Sequence, residues 1–389
     1  MSDGERGLEK RIYLLIGALV PMSFNIASVA RPLLAVAVGV PAGILAIIPL
    51  ASNIAQVFFR PIFGYLSDKH GRKLFIIIAT LIYLTSYLLY SIATSPIGIV
   101  LASFVIGIGV ACLWPSLMAL SAENNSDARE AVGTLLMLSF MGSLIGSFFS
   151  GIVAEILGWR KTFLLSATIT LVAFIIAIFL KEPRIERENI SIQTSLRISY
   201  NIATRSITRV NSVGLKPILN SYIPVIFLNL GLSQSLIGMF LSLDRLVTSI
   251  MQKVSAKISK REFFKPAIIN FSALIALMIF ALVAAAENLF LSIVSYLAYS
   301  LGASLLPTSE LAEATEKAGE AKGSGAGGYG VALSTTRILG SSLATFGGSS
   351  EFMGLPTTIS AIVVSTLALM ILSSIGLFVS KSPRSESQT

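Results

Sequence analysis

Long apolar segments alternate with short polar ones along almost the whole chain. About 20 apolar residues cross a bilayer as one helix, and these segments are near-continuous, whereas the strands of a membrane barrel alternate residue by residue. The pattern therefore predicts an all-α polytopic membrane protein with twelve spans. They cover residues 12–38, 42–66, 74–92, 97–120, 131–157, 162–180, a stretch within 198–228, 233–255, 266–286, 289–307, 329–346 and 355–379. The seventh and eleventh have low hydropathy and are included because the two halves then match.

The composition agrees with a membrane protein. Of the 389 residues, 54% are hydrophobic and 13% are charged, against roughly 25% charged in a soluble domain. A net charge of +9 would suggest a nucleic-acid partner in a soluble protein. With both termini in the cytoplasm, however, roughly 19 of the 29 basic residues fall in cytoplasmic loops and about 2 on the far side. We therefore expect a multi-pass protein of the cell membrane with cytoplasmic termini and no nucleic-acid partner.

The second half of the chain echoes the first. The segment from Pro32 can be laid against the segment from Pro224, and Gly39 then meets Gly231 at the same distance before the next span. Apolar segments resemble one another by chance, so this similarity counts only together with the layout of the spans. It predicts two six-helix bundles, residues 1–180 and 198–389, joined by a polar cytoplasmic linker at residues 181–197.

The stretch "GYLSDKHGRK", residues 64–73, concentrates charge between the second and third spans. A cytoplasmic anchor explains its basic residues, but neither Asp68 nor the two glycines. Gly64 ends a span, where a missing side chain lets another helix approach, and Gly71 suits a tight turn. Asp68 can accept from a helix N-terminus or pair with a cation. Arg72 can form a bidentate pair with an acid.

This stretch resembles the signature loop of the major facilitator superfamily, Gly-x-Leu-x-Asp-x-x-Gly-Arg-Lys, at every defined position and in the same place. The resemblance implies two six-helix bundles that rock around a central site in alternating access. It also implies that Gly64, Asp68, Gly71 and Arg72 form a latch on the cytoplasmic side of the outward-open state, with Asp68 against the start of the eleventh span. Arg72 would bind an acid after the fourth span, and the candidates are Glu123, Asp127 and Glu130.

Other positions support or qualify the resemblance. Gln56, "GIGVACLWPSLMALSAE" in the fourth span, the glycines of the fifth span and "GWRKTF" opening the sixth all look like the family. Ser103 stands where the family often has a basic residue, which weakens a proton-antiport interpretation. Ser147 stands where it often has a proline, which weakens assignment to the drug-antiporter branch. The second half's counterpart of the signature loop, residues 256–262, is degenerate.

Each charged residue near the bilayer centre raises the free energy of membrane insertion by about 2.5–3.5 kcal/mol, so charged residues inside spans indicate a structural or functional role. Arg31 either reaches the interface or lines a cavity, whereas Arg60, one turn from the loop, is interpreted as an anchor. Asp244 and Arg245 are adjacent and point about 100° apart, so one can face the cavity while the other pairs with a neighbouring helix. Arg337 has two interpretations, as a member of a structural ion pair or as a substrate contact. The predicted substrate-cavity residues are Arg31, Asn53, Gln56, Trp114, Asp244, Arg245 and Arg337.

The sequence gives no sign of enzymatic chemistry. The single histidine, His70, lies in the signature loop, and the single cysteine, Cys112, lies in an apolar span. We therefore expect no catalytic residues, no metal and no cofactor. The "GAGGYG" stretch at residues 325–330 lacks the Lys-Ser/Thr that completes a phosphate loop.

Two classes of function remain open at the sequence level. The first is a monomeric secondary active transporter of a small organic molecule, either an exporter of amphipathic compounds, which the mostly apolar cavity favours, or an importer or exchanger of organic anions, which Arg31 and Arg245 favour. The second is a receptor or scaffold on the same fold. If protons drive transport, Asp244 is the expected coupling group, since Glu155 is interpreted as a solvated residue near Arg160.

Overall fold

The computed structural model describes residues 3–123, 128–181, 200–201, 204, 211–258, 265–307 and 322–381. These residues form long helices, with only an isolated β-bridge between Phe352 and Leu355. The helices are α1 (Asp3–Ile26), α2 (Ala30–Ala37), α3 (Ile47–His70), α4 (Arg72–Ile92), α5 (Pro96–Glu123), α6 (Ala128–Leu157), α7 (Trp159–Ile178), α8 (Asn211–Asn229), α9 (Gln234–Ile258), α10 (Pro266–Ala285), α11 (Leu289–Ser304), α12 (Lys322–Gly347) and α13 (Thr357–Lys381).

The prediction of an all-α polytopic fold is confirmed, since every predicted span falls on a helix. Within the described residues, eight helical segments are long and apolar enough to cross a membrane, and α11 is a shorter apolar helix. The helices α8, α9 and α12 fall below that criterion because polar and charged residues lower their hydropathy. The predicted eleventh span, residues 329–346, lies within α12, which begins seven residues earlier at Lys322 with glycine-rich helical turns.

The first predicted span is divided between α1 and α2 by a turn at residues 27–29. Pro32 explains the break, because its nitrogen cannot donate to the carbonyl of Ser28 and its ring crowds that carbonyl. Pro21 lies inside α1 and likewise leaves the carbonyl of Gly17 without its helical donor. Ser139 of α6 supplies the replacement, donating from Oγ to Gly17 O at 2.6 Å. A freed backbone group in a membrane span is thus satisfied by the neighbouring helix.

The matched glycines of the two halves have the same backbone role. Gly39 follows α2 with φ of +96°, and Gly231 follows α8 with φ of +89°. After each glycine, the next residue donates its N–H to the carbonyl five positions earlier, at 2.9 Å in both halves. This is the Schellman ending, which requires a left-handed residue and favours glycine. The internal repeat read from sequence therefore corresponds to a repeated local structure.

The helices form two groups, α1–α7 and α8–α13, which pack mainly within themselves. The groups meet along α6 with α9 and along α3 with α12. The proposed linker, residues 181–197, lies outside the described residues except for Lys181. The chain enters and leaves the bundle at one end, through α1 and α13. We call this the terminal end, and the opposite end the far end.

Candidate functional site

The signature stretch forms a one-residue turn at the terminal end. Gly71, with φ of +101°, is the only residue between α3 and α4. Arg72, the first residue of α4, donates from Nε and Nη2 to Oε1 of Glu123 at 3.2 and 3.0 Å, and from Nη1 to Ser67 Oγ at 2.8 Å. Glu123 is one of the three acids expected there. Both guanidinium bonds go to the same oxygen, so the contact is not the forked bidentate pair that the sequence suggested. It joins α4 to α5 within the first group.

The remaining predicted latch positions make no described contact with the second group. A Cβ added to Gly64 would meet no described atom within 4 Å, so the close helix approach expected at this glycine is not seen among the described residues. Asp127 and Glu130 are also outside the described side chains. The side chain of Asp68, like the side chains of residues 322–328 at the start of α12, lies outside the described part of the chain. The predicted docking of Asp68 therefore stays a prediction.

A buried ionic cluster lies in the middle of the second group. Lys216 of α8 places its Nζ 3.5 Å from Asp244 Oδ1 of α9. The same nitrogen donates to Thr248 Oγ1 at 2.7 Å, Ser300 Oγ at 3.0 Å and Ser304 Oγ at 2.9 Å. Ser300 of α11 also donates to Asp244 Oδ1. The Asp244 side chain is 1% exposed, so this carboxylate is enclosed by donors from three helices.

The sequence pattern explains why these groups meet. Asp244 and Thr248 are four residues apart on α9, and Ser300 and Ser304 are four residues apart on α11, so each pair shares one helix face. The sequence analysis missed the contributions of Lys216, Thr248, Ser300 and Ser304. The available signal was the combination of a lysine inside α8 with two polar pairs at helical spacing in otherwise apolar helices.

Asp244 and Arg245 point in different directions, as their adjacency predicted. Asp244 turns toward α8 and α11, whereas Arg245 keeps only a long ion pair to it, with 3.8 Å between Nη1 and Oδ2. The Nε of Arg245 is buried and has no hydrogen-bond partner among the described residues. Arg245 is therefore held less tightly than Asp244 by the side chains that the structure describes.

Arg31 turns back along the first span. Its Nη2 donates to the Phe24 carbonyl at 2.6 Å and its Nε to the Ala27 carbonyl at 3.3 Å. The guanidinium also lies over the Phe24 ring, 3.8 Å from the centroid. These contacts place the cation at the carbonyl-rich C-terminus of α1, where the helix dipole favours positive charge. Both interpretations of Arg31, at the interface or lining a cavity, stay predictions.

Polar side chains follow one another along α3. Asn53 is buried and donates to the carbonyl one turn earlier at 2.7 Å. Gln56 donates to Asn53 Oδ1 at 3.4 Å and accepts from Arg60 Nη2 at 3.4 Å. Arg60 does not act as the surface anchor expected of it. Its head group lies against α12, where a Cβ on Gly330 would be 2.7 Å from Nη1, and its charge interacts with that of Arg337.

Two further predicted cavity residues have different surroundings. Arg337 is half-buried in α12, and its buried Nε has no hydrogen-bond partner within the described part of the chain. Trp114 is half-buried in α5, and within the described residues it makes no hydrogen bond to the other candidates. The structure therefore places Arg60 against the helix that carries Arg337, and it shows no described contact that ties Trp114 or Arg31 to them.

The two groups are in direct contact at the far end. A Cβ on Gly43, just before α3, would overlap the carbonyl of Gly348 at the end of α12, and a Cβ on Gly151 of α6 would overlap the carbonyl of Gln234 at the start of α9. Tyr222 of α8 is fully buried and donates to the Gly43 carbonyl at 2.5 Å. We call these contacts, together with the two described next, the far-end closure.

Two side-chain contacts complete the far-end closure. Trp159 donates from its indole nitrogen to Gln234 Oε1 at 3.0 Å. Glu155 accepts from the backbone N–H of Ser235 at 3.1 Å and from its hydroxyl. Glu155 is exposed, as predicted, but its contacts are with α9, while Arg160 donates to the Ser91 carbonyl instead. The far end is therefore shut by bonds between the groups.

Other types of site find no support among the described residues. No group of three or more potential metal ligands occurs there. A cavity of about 390 Å³ opens at the far end between α2 and α7, lined by residues that include Leu34, Val38, Trp159 and Lys161. It is separate from the Asp244 cluster.

Comparison with known proteins agrees with this architecture. A family model described as "Major Facilitator Superfamily" matches residues 13–341. The chain is 33% identical over 112 residues to the quinolone resistance protein NorB of Staphylococcus aureus (strain JH9), a match that covers 28% of this chain and 24% of that protein.

Solved structures share the fold at low sequence identity. A bacterial homolog of the human lysosomal transporter Spinster, in an inward-facing and occupied conformation, superposes with a TM-score of 0.75 at 13% identity, covering 98% of each chain. The nucleoside transporter NupG gives 0.71 at 13% identity, covering 97% of this chain and 99% of that one. A D-xylose–proton symporter gives 0.72 at 13% identity, covering 93% and 96%.

Proposed function

This chain belongs to the major facilitator superfamily, and we propose that it is a secondary active transporter that moves a small organic molecule across the cell membrane by alternating access. The observation that carries the proposal is the placement of charge. Five basic side chains and one enclosed carboxylate lie within the described spans, and the head group of Arg60 lies against α12 of the other group. Charges inside a membrane protein typically line a substrate or ion path.

The far-end closure supports a two-state cycle. It is made of glycine backbone contacts and a few hydrogen bonds, which two rigid groups can break and re-form. Gly64, at the opposite end, has no close neighbour among the described residues. We infer that this is a state closed at the far end, and that the signature loop engages α12 in the alternative state. With the proposed orientation, the far end is extracellular and both termini are cytoplasmic.

Export of amphipathic compounds is the favoured direction and substrate class. Its support is the 33% identity with a quinolone resistance protein, which covers only 24% of that protein. A second candidate, import or exchange of organic anions, is favoured by the excess of Arg31, Arg60, Lys216, Arg245 and Arg337 over Asp244 among the charged residues inside the described spans. Both candidates have the protein acting as a monomer in the lipid bilayer.

Asp244 is the proposed coupling residue if protons drive transport. It is the most buried carboxylate among the described residues, and it contacts Lys216, Arg245 and Ser300. A change in any of these contacts during the cycle would alter its affinity for a proton. An ion pair with a purely structural role would be enclosed in the same way. The neutral double variant Lys216→Met with Asp244→Asn distinguishes a structural role from a coupling role.

Flux through purified, full-length protein in proteoliposomes tests the proposal. The panel contains amphipathic dyes and organic anions, assayed with and without a pH gradient, against protein-free liposomes. Saturable, protein-dependent flux of any panel member is expected. Correctly folded protein that binds a panel member but moves none would favour the alternative of a receptor or scaffold on the same fold.

A further inference from the structure

The oxygen atoms around the Lys216 ammonium form a fuller shell than its own hydrogen bonds require. Four oxygens lie within 3.5 Å of Nζ: Asp244 Oδ1 at 3.5 Å, Thr248 Oγ1 at 2.7 Å, Ser300 Oγ at 3.0 Å and Ser304 Oγ at 2.9 Å. An ammonium group has three N–H donors, so the shell offers one acceptor more than the donors need. Oxygen ligands that converge on one positive centre are what proteins use to hold hard cations.

The three hydroxyl groups turn lone pairs toward the ammonium because their hydrogens are used on other acceptors. Thr248 donates to the Asp244 carbonyl at 2.8 Å. Ser304 donates to the Ser300 carbonyl at 2.5 Å, and Ser300 donates to Asp244 Oδ1. A hydroxyl has one hydrogen and two lone pairs, so each of the three can only accept from Lys216. The shell therefore presents acceptors alone to the positive charge at its centre.

The burial and the charge of the shell fit a cation of single charge. The side chain of Asp244 is 1% exposed and that of Lys216 is 11% exposed, and Ser300 and Ser304 are buried. Arg245 already lies 3.8 Å from the other oxygen of Asp244. A divalent ion at the centre would therefore add a charge that no described side chain of the cluster compensates, which is costly in a buried site.

We propose that the oxygens of Asp244, Thr248, Ser300 and Ser304 form a monovalent-cation site, and that the ammonium of Lys216 is its built-in occupant. Lys216 is then a cation tethered to α8, and it holds α9 and α11 against that helix without an ion from solution. The distances from Nζ to the hydroxyls are those of ordinary N–H···O bonds. The ligand class of the emptied site is therefore a primary ammonium ion, followed by potassium, which has a similar size. The inference goes beyond the proposed transport function and does not depend on it.

The variant Lys216→Ala tests the site by emptying it. The substitution removes the equivalent of a propylammonium ion, and it leaves Asp244 without its partner, so the unfolding temperature is expected to fall. Full-length protein is purified in propylammonium chloride and then unfolded in chloride salts of propylammonium, ammonium, potassium, sodium or tetramethylammonium at equal ionic strength. Propylammonium is expected to restore at least half of the loss saturably, and ammonium and potassium to restore less. Tetramethylammonium, which has no N–H and is too large for the shell, is expected to restore none.

Two controls keep the test specific. The double variant Lys216→Ala with Asp244→Asn lacks the carboxylate that binds the cation, so the salts should affect it no more than they affect the parent. The parent should unfold at the same temperature in potassium, sodium and tetramethylammonium chloride, because its site is already filled. The proposal is wrong if propylammonium and tetramethylammonium act alike on Lys216→Ala, or if the double variant is rescued equally. It is also wrong if Lys216→Ala folds in none of the salts while the double variant folds, or if sodium or potassium stabilises the parent saturably.

Flux measurements separate this inference from the transport proposal. The parent's flux in proteoliposomes is expected to be the same in sodium, potassium and choline chloride. Flux that sodium or potassium accelerates in the parent but not in Thr248→Val would mean that a metal ion reaches the shell, which overturns the built-in occupant and leaves the transport proposal standing. Rescue of Lys216→Ala by propylammonium, without flux of any substrate by the parent, would support the site and count against transport.

Discussion

At the scale of single residues, Lys216 is the most informative side chain in the second group. Its Nζ contacts one carboxylate oxygen and three hydroxyl oxygens, which are the types of ligand that a bound monovalent cation would use. Asp244 supplies the counter-charge. Removing one partner of a buried ion pair costs about 3–5 kcal/mol because the other charge is left uncompensated. Variants at this cluster must therefore be chosen so that a loss of folding stability can be distinguished from a loss of transport.

The first prediction uses a neutral double variant. Asp244→Asn alone and Lys216→Met alone are expected to lower the unfolding temperature, whereas the double variant Lys216→Met with Asp244→Asn regains most of it, because no unpaired charge remains. If Asp244 couples protons to transport, Asp244→Asn and the double variant lose pH-driven accumulation but retain exchange at equal pH. A double variant that still concentrates substrate on a pH gradient shows that Asp244 is not the coupling group.

The second prediction concerns Asp68 in the signature stretch. Asp68→Asn is expected to leave folded protein in the membrane but to lower initial transport rates at least tenfold, because the carboxylate's negative charge would be needed for docking at the start of α12. Initial rates and the amount of membrane-inserted protein are measured together. The neighbouring variant His70→Asn changes an exposed position of the same stretch. It is the control and should transport normally. Normal rates for Asp68→Asn would contradict the latch.

At the scale of helices, the far-end closure depends on glycine at Gly151. A Cβ there would overlap the Gln234 carbonyl, and the glycine partner Gly238 lies in the same contact. On the same helix, a Cβ at Gly133 would meet nothing within 4 Å. A larger side chain at Gly151 should therefore block the contact between the groups, whereas one at Gly133 of the same helix should not.

The third prediction follows from that difference. Gly151→Val is expected to hold the far end open and reduce transport at least tenfold, while Gly133→Val stays near the parent. Opening is measured by maleimide labelling of Ala46→Cys, which is fully buried beneath the closure. The native Cys112 is also buried and donates to the Phe75 carbonyl, so its background labelling should be low. Equal labelling in both glycine variants would mean that Gly151 does not control the closure.

The helices could be located from hydropathy, but their interruptions and contacts could not. Apolar length predicted ten of the twelve spans, and the match between the two halves supplied the seventh and eleventh. The signature stretch identified Gly71 as a turn and Glu123 as one of three candidate partners for Arg72. The break at Pro32 was missed because a proline in a membrane helix can either kink it or end it, and the choice depends on neighbouring helices. Lys216 was passed over for a similar reason, since its partners are on α9 and α11, far along the chain.

The direction of Arg60 shows the same limit. Its position one turn from a basic loop suggested an anchor, and only the packing of α12 reveals that its head group turns inward. Sequence distance from a loop measures depth along a helix, but not which side of the helix faces the bundle. The contact between Arg60 and α12 depends on two helices at once, so no single segment predicts it.

At the scale of the whole molecule, the orientation in the membrane rests on the distribution of basic residues and is directly testable. The fourth prediction is that a membrane-impermeant maleimide added to intact cells labels Thr94→Cys, in the exposed far-end turn after α4, and not His70→Cys at the terminal end. Permeabilised cells provide the control, in which both positions should react. Labelling of His70→Cys alone in intact cells would invert the proposed topology.

The indole of Trp159 gives this molecule a natural optical signal. The chain has two tryptophans, and a Trp114→Phe variant would keep only the one that donates to Gln234 in the far-end closure. Indole emission moves to longer wavelength when water reaches the ring, so each opening of the far end should produce a red shift and each closing should reverse it. Rapid-mixing fluorescence on unlabelled protein could then time this half of the cycle, a motion between rigid groups that belongs to the microsecond-to-millisecond range.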